Sequence, residues 1–329
     1  ATLVHGRAAR RVRCFLVGND PSELRRRLRE ADLEPVTVEA GRPRRLVWGF
    51  TGQGSQRLGM AAALYKDDPV FRESIDDAIH EVAALSIPLR ADELRQVLLT
   101  DDARIHDTRY TQPALVAYQW ALAERWRTLG VQPEAVVGHS VGEISAALVA
   151  GILSLPDAMH LAAERGRLMA ELPRTGAGAG AMVAALCDEE RVAGLVGEHD
   201  NVSIAAVNGP REVVFAGLAS EVEAIAKDLE ATGVDLRPLR VSHAFHSPLM
   251  QPILAPLAEV ASKLTHHKAR LPLVACGDGK VVSTLDADHW VRHARGAVRF
   301  ADALSTLMHQ ADTFLEIGPR PILCGMAGL

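Results

Sequence analysis

Ser140 stands between two glycines in Gly138-His139-Ser140-Val141-Gly142. The apolar run Ala135-Val136-Val137 precedes it, and Ile144 to Ala150, dense in good helix formers, follows. A serine at such a strand-to-helix turn can act as a nucleophile. Glycines are needed where a Cβ would collide, the hydroxyl is held clear of the sheet, and the helix's first N–H groups aim at the same point. The pentapeptide alone also fits a serine that merely caps a helix, so the chemistry depends on partners elsewhere. His243 and His246, in VSHAFHSPLM (residues 241–250), are both available as a base. The loop FTGQGSQRLGM (residues 50–60) can turn bare backbone N–H groups around Gln53 toward a developing oxyanion, or serve as a plain βα turn. Arg165, in the mostly apolar stretch AMHLAAERGRLMAEL, can hold a carboxylate bidentately or snorkel to water.

Metal chemistry finds little support. No Cys, Asp or Glu near His243 and His246 completes a ligand set. His289 and His293 have helical spacing but read HWVRH, without the glutamate of a zinc protease. Gly176-x-Gly178-x-Gly180 precedes a strand and lacks a following Lys-Ser/Thr, so it is not a phosphate loop.

The elements that must position these residues follow an α/β rhythm. Strand LVWGF, a glycine loop and helix lead on to strand AVVG and two helices, the second through LPDAMHLAAERGRLMAEL. This order predicts a parallel sheet covered by helices. RTGAGAGAM, residues 174–182, is the most linker-like stretch in the chain. Beyond it, strand-helix-strand-strand-helix-strand is the ferredoxin-like order, and the helical pattern of the main unit resumes after residue 241. Residues 1–45 carry strand RVRCFLVG, a helix capped by Asp20 with Pro21 at its first position, and a charged break near 41–45. The expected organisation is an appended N-terminal unit (1–45), a large α/β unit (46–175 and 241–329) and a small inserted unit (176–240).

Composition narrows the class. The 329 residues are 48% hydrophobic, enough for substantial cores, but only 4% aromatic, so Ala, Leu and Val must build them. A net charge of −5, with no basic stretch interleaved with aromatics, argues against nucleic acid. Arg25, Arg26, Arg27 and Arg29 read as the wet face of a short helix. Cys14, Cys187, Cys276 and Cys324 are scattered, suggesting neither a zinc site nor a disulfide framework. The start has no apolar signal core and no run approaches a membrane span, so a cytoplasmic protein is expected.

Taken together, GQGSQ, GHSVGE, the arginine of AERGRLM, HAFHSP and FLEIGPRPIL resemble the acyltransferase domains of type I polyketide synthases, and the stand-alone malonyl-CoA:acyl carrier protein transacylases. The resemblance covers residues 46–329. It implies an α/β-hydrolase-like core with a ferredoxin-like insertion, and residues 1–45 as the end of a ketosynthase-to-acyltransferase linker, hence a piece of a larger synthase. It further implies Ser140 as the acylated nucleophile, His246 as its base, and the backbone N–H groups of Gln53 and Val141 as the oxyanion hole. Arg165 becomes the binder of the substrate carboxylate. A backbone carbonyl in WVRHAR, matched best by His293, would orient His246. Phe245, His243 and Val141 stand where malonyl-selective members carry HAFH and Val, against a YASH-like segment and Gln in methylmalonyl-selective ones. Malonyl-CoA is then the substrate, a phosphopantetheinylated acyl carrier protein the acceptor, and no cofactor or metal is bound. Methylmalonyl or relaxed specificity, a fatty-acid transacylase, an α/β-hydrolase esterase and a non-catalytic docking scaffold are the rival readings.

Overall fold

The computed structural model describes residues 12–13, 18, 20–30, 36–37, 45–239, 241–309 and 311–326, within two compact units, Ala1–Arg44 and Arg45–Leu329. In the first, β1 (Val12–Arg13) and β2 (Val36–Thr37) pair antiparallel, with α1 (Pro21–Glu30) between them in sequence. Residues 11 and 14–17 of the expected strand, Cys14 among them, lie outside the described residues. Asp20 caps α1, accepting from the Ser22 and Glu23 N–H groups. The helix buries no residue, and Arg26 and Arg27 pair with Glu30 and Glu23.

The second unit opens with β3 (Leu46–Phe50), then α2 (Ala62–Asp67), α3 (Pro69–Ala83), α4 (Ala91–Leu99) and α5 (Thr108–Thr128). Next come β4 (Ala135–Gly138), α6 (Gly142–Ala150) and α7 (Leu155–Ala170). After the small subdomain follow α10 (Gln251–Ser262), β9 (Leu273–Ala275), β10 (Lys280–Val282), α11 (Ala287–Arg295), α12 (Phe300–Met308), β11 (Thr313–Ile317) and α13 (Leu323–Met326). The large sheet has the order β10-β9-β4-β3-β11, parallel except for the edge strand β10. Its central strands are short apolar runs because helices cover both faces; Trp48, Phe50, Val136 and Val137 are fully buried. The register sets Phe50 beside Gly138, so the ends of β3 and β4 open side by side.

The small subdomain runs β5 (Gly180–Ala185), α8 (Glu189–Val196), β6 (Val202–Gly209), β7 (Glu212–Leu218), α9 (Ala219–Ala231) and β8 (Leu236–Pro238). Its antiparallel sheet, ordered β6-β7-β5-β8, is the ferredoxin-like arrangement, with a core of its own around Val192, Val213, Phe215, Val222 and Ile225. Strand β5 begins inside the glycine-rich stretch read as a linker. A single 3₁₀ turn at residues 176–178 precedes it. Strand β6 is stitched to the large subdomain: Val207 N–H donates to Val298 O and Val298 N–H to Ala205 O, each at 2.9 Å. Among the described residues no helix is long and apolar enough to cross a membrane.

Candidate active site

The turn joining β4 to α6 places Ser140 in the left-handed region, at φ 49°. The flanking glycines are dictated by contact. A Cβ on Gly138 would lie 2.2 Å from the Glu143 nitrogen, and one on Gly142 would lie 2.2 Å from the Phe50 carbonyl oxygen. Only bare backbone lets the turn close this tightly against the end of β3, which explains the spacing seen in the sequence.

Ser140 Oγ lies 2.7 Å from His246 Nε2. His243, the other histidine of the HAFH segment, is directed elsewhere, toward the Leu172 carbonyl at 3.1 Å and Ser242 Oγ at 2.9 Å. His246 is itself at φ 57°, and its backbone carbonyl accepts from Ser203 Oγ of β6 at 3.0 Å. Its Nδ1 lies 2.9 Å from the Gly296 carbonyl. A carbonyl can only accept, so Nδ1 carries the proton and Nε2 presents a lone pair to Ser140. The orienting group expected at His293 is therefore corrected to Gly296. Gly296 is the residue that ends α11, where helix carbonyls lose their internal partners and become free to accept. The His293 carbonyl is a lesser contributor to the same imidazole.

Burial holds the His246 pKa down to about 3, with the nearby Arg165 charge the second cause. Burial also lowers His139 and, well below the ordinary range, His293. All three are thus neutral in the folded chain, whereas the unfolded chain protonates them from about pH 6.5 downward. Their contribution to stability is complete above that pH and declines as the pH falls below it, that of His246 down to about pH 3. A melting series is expected to show the midpoint dropping between about pH 6.5 and 4, with a shallower slope in His293→Gln, which removes one of the three. Identical slopes in the two proteins would contradict this account.

Arg165 is 3% exposed on α7. Its Nη1 donates to Gln112 Oε1 at 2.5 Å, Nε has no partner, and among the described residues it forms no ion pair. Burial lowers its pKa to about 10, partly offset by the charge of Glu143, so it remains a cation at neutral pH. Gln112 Nε2 donates in turn to Thr108 Oγ1, which donates to Gln53 Oε1, both at 2.9 Å. The Gln53 side chain is thereby occupied. Val141 is buried at the N-cap of α6; the N–H groups that follow, of Gly142, Glu143 and Ile144, donate to the His139, Ser140 and Val141 carbonyls. Phe245 is buried beside His243, with ring centroids 5.9 Å apart.

Sequence reasoning missed several supports. Gln112 and Gln119 are buried on α5; Gln119 donates to the Thr51 carbonyl and so pins the Gln53 loop. Two glutamines seven residues apart, on either side of the apolar run Pro113 to Tyr118, were a readable signal, because that spacing puts them on one face. Asn208, on β6, accepts from or donates to His139 Nε2 at 2.9 Å.

A family model described as "Acyl transferase domain" matches residues 47–327. The chain is 43% identical over 330 residues to polyketide synthase GfsA of Streptomyces halstedii, covering 95% of this chain and 4% of that protein. It is 42% identical to the phenolphthiocerol synthesis polyketide synthase type I Pks15/1 of Mycobacterium marinum, covering 97% and 15%. The chain thus spans a small fraction of these relatives. The acyltransferase domain from the second module of the salinomycin polyketide synthase superposes with a TM-score of 0.88 at 40% identity, covering 99% of this chain and 77% of that one. An acyl carrier protein S-malonyltransferase from Vibrio cholerae gives 0.77 at 29%, covering 86% and 92%. With its hydrolase-like core, ferredoxin-like insertion and family match over nearly all of the second unit, the chain is a member of the acyl transferase domain family, an acyltransferase of the kind found in polyketide synthases.

Proposed function

We propose that this acyltransferase moves a malonyl group from malonyl-CoA, through an ester on Ser140, to the phosphopantetheine thiol of an acyl carrier protein. One observation carries the reading. Arg165 is a buried cation that forms no ion pair among the described residues, the charge of Glu143 acting on it only at a distance, and it lies close enough to His246 to lower that residue's pKa. Burying a lone guanidinium is costly unless a ligand supplies the counter-charge. The free carboxylate of malonyl does so, and its planar pair of oxygens matches the guanidinium fork.

In the first half-reaction Ser140 Oγ attacks the thioester carbonyl while His246 Nε2 takes the hydroxyl proton. The C–S bond then breaks and the CoA sulfur leaves with that proton. In the second, the carrier thiol gives its proton to His246 and attacks the ester; the C–O bond breaks and the proton returns to Ser140. The Gly296 carbonyl fixes the imidazole in the tautomer both halves require, without adding charge. The backbone N–H groups of Gln53 and Val141 are assigned to the oxyanion, each worth about 3 kcal/mol at the transition state. His246 stays neutral far into the acid range, so acylation by the folded protein depends little on pH near neutrality.

Phe245, buried in the turn just before His246, supports malonyl over methylmalonyl by occupying space that an α-methyl needs. His243 holds that turn by its bond to Leu172, and Val141 completes the pattern. One methyl group is worth about 1–3 kcal/mol in a pocket, so the preference is finite. The short share of the relatives that this chain spans supports a larger parent synthase, in which residues 1–45 are read as the end of the linker from a ketosynthase. The free thiols of Cys187, Cys276 and Cys324 fit a cytoplasmic setting. Intact-protein mass after brief exposure to equal malonyl-, methylmalonyl- and acetyl-CoA tests the whole reading. A dominant malonyl adduct is expected; equal methylmalonyl loading would remove the role given to Phe245, and no adduct would remove the function.

A further inference from the structure

Glu143 is fully buried in the first turn of α6, three residues after Ser140. Its two oxygens reach two other segments. Oε2 accepts from the backbone N–H of Cys276, at the end of β9, at 2.8 Å. Oε1 accepts from His289 Nε2, on α11, at 2.6 Å. Helix α11 is the one that ends at Gly296, whose carbonyl orients His246. A single carboxylate therefore ties the helix that follows the serine to the helix that supplies the histidine's acceptor.

The surroundings give that tie its importance. Helix α11 is anchored on one side by buried Trp290, whose indole N–H donates to His266 at 3.1 Å. His289, His293 and Gly296 border an open pocket of about 680 Å³, so on that side α11 faces a cleft rather than packed side chains. His293 is interposed between the carboxylate and the catalytic pair. Its ring centroid is 6.0 Å from that of His246, and its Nε2 is 4.0 Å from Glu143 Oε2, too far for a hydrogen bond. Neither ring nitrogen of His293 makes a full hydrogen bond, so it fills space without fastening α11 to α6.

We propose that Glu143 and His289 are positioning residues for the Ser140–His246 pair: their bond sets the place of the Gly296 carbonyl relative to the serine, and so holds His246 in its Nδ1–H tautomer. This rests on the reading of Ser140 and His246 given above. It adds to that reading a remote acid acting through the frame, where a serine triad would use a carboxylate on the imidazole itself.

The test uses His289→Leu, which removes the donor at similar volume, and His289→Gln, whose amide N–H can still reach Glu143. Two quantities are read: the ¹⁵N ring shifts of His246, assigned by their loss in His246→Gln, and kcat and KM for CoA release from malonyl-CoA. The leucine variant is expected to show His246 averaged between tautomers, with kcat lowered by up to about 100-fold, the effect of misplacing a catalytic group by an ångström. KM should change far less than kcat, because His289 makes no contact with Arg165 and Glu143 acts on that guanidinium only at a distance. The glutamine variant should recover most of both. Should the leucine variant not fold, His289→Asn, whose shorter amide stops short of the carboxylate, gives the same reading. A wild-type tautomer and kcat in the leucine variant would overturn the proposal, as would equal loss in leucine and glutamine variants. If the wild-type chain takes no malonyl group, the proposed function falls, and the His246 ring shifts still decide the positioning role.

Discussion

Ser140→Ala is expected to leave the chain folded and unable to form any acyl adduct with malonyl-CoA, with CoA release lowered on the order of 10⁶-fold, as when the nucleophile of a serine hydrolase is removed. The loss is this large because no second nucleophile stands at the site. His246 presents Nε2 to Ser140 alone, and His243 is engaged with Leu172 and Ser242. Alanine keeps the Cβ, so the left-handed backbone at this position remains as strained as in the wild type. Ser140→Gly removes that strain and should melt higher than Ser140→Ala, by about 1 kcal/mol of stability. Activity and stability would then move in opposite directions at one residue, as expected where a turn is held in an unfavourable conformation to present a side chain. Intact-protein mass and thermal melts on the three proteins check both halves. An acyl adduct on the alanine variant would move the nucleophile elsewhere.

Arg165→Met is expected to convert the enzyme's preference rather than abolish its chemistry. Removing one partner of a buried charge pair costs about 3–5 kcal/mol, because the other charge is left uncompensated. At 1.36 kcal/mol per decade this is roughly a 10²- to 10⁴-fold loss in kcat/KM for malonyl-CoA. Acetyl-CoA has no carboxylate to strand and should load at least as fast as on the wild type. Methionine also relieves the free enzyme of a buried guanidinium that, among the described residues, is hydrogen-bonded to Gln112 and forms no ion pair. Arg165→Lys should recover little, since a point charge cannot reproduce the two-pronged contact. Competition between malonyl- and acetyl-CoA, read as the ratio of adduct masses, checks this. A parallel fall for both substrates would mean that Arg165 supports the fold or the imidazole rather than the carboxylate.

Much of this site lay in local sequence. The glycines around Ser140 announce a turn that tolerates no Cβ, and the contacts at Gly138 and Gly142 show why. Asp20 before Pro21 announces a helix start, and alternating short strands and helices after residue 180 announce the ferredoxin-like order. These signals are legible because they depend on the residues themselves and their immediate neighbours: a backbone angle, a missing N–H, a period of two or of 3.6. The glycine-rich stretch 174–182, read as the most linker-like in the chain, gives way to a strand at Gly180. Composition does not show where the connection ends; pairing with Leu218 of β7 takes Gly180 into β5.

The sequence by itself therefore determined the elements, the turn that presents Ser140 and the inventory of groups able to do acyl chemistry. Tertiary structure decided which of them meet. Bonding at the Leu172 carbonyl turns His243 away and leaves His246 for the serine. The histidine's acceptor is Gly296, since a backbone carbonyl has no signature in sequence and becomes available only where a helix ends. No acid stands between His289 and His293 in HWVRH, yet Glu143 supplies one to His289 from 146 residues away. In sequence, a glutamate in the first turn of a helix reads as a solvated residue at the positive end of the dipole. Its burial follows from the register of β3, β4 and β9, which carries α6 into the interior, and contacts set by sheet register leave no trace in local periodicity.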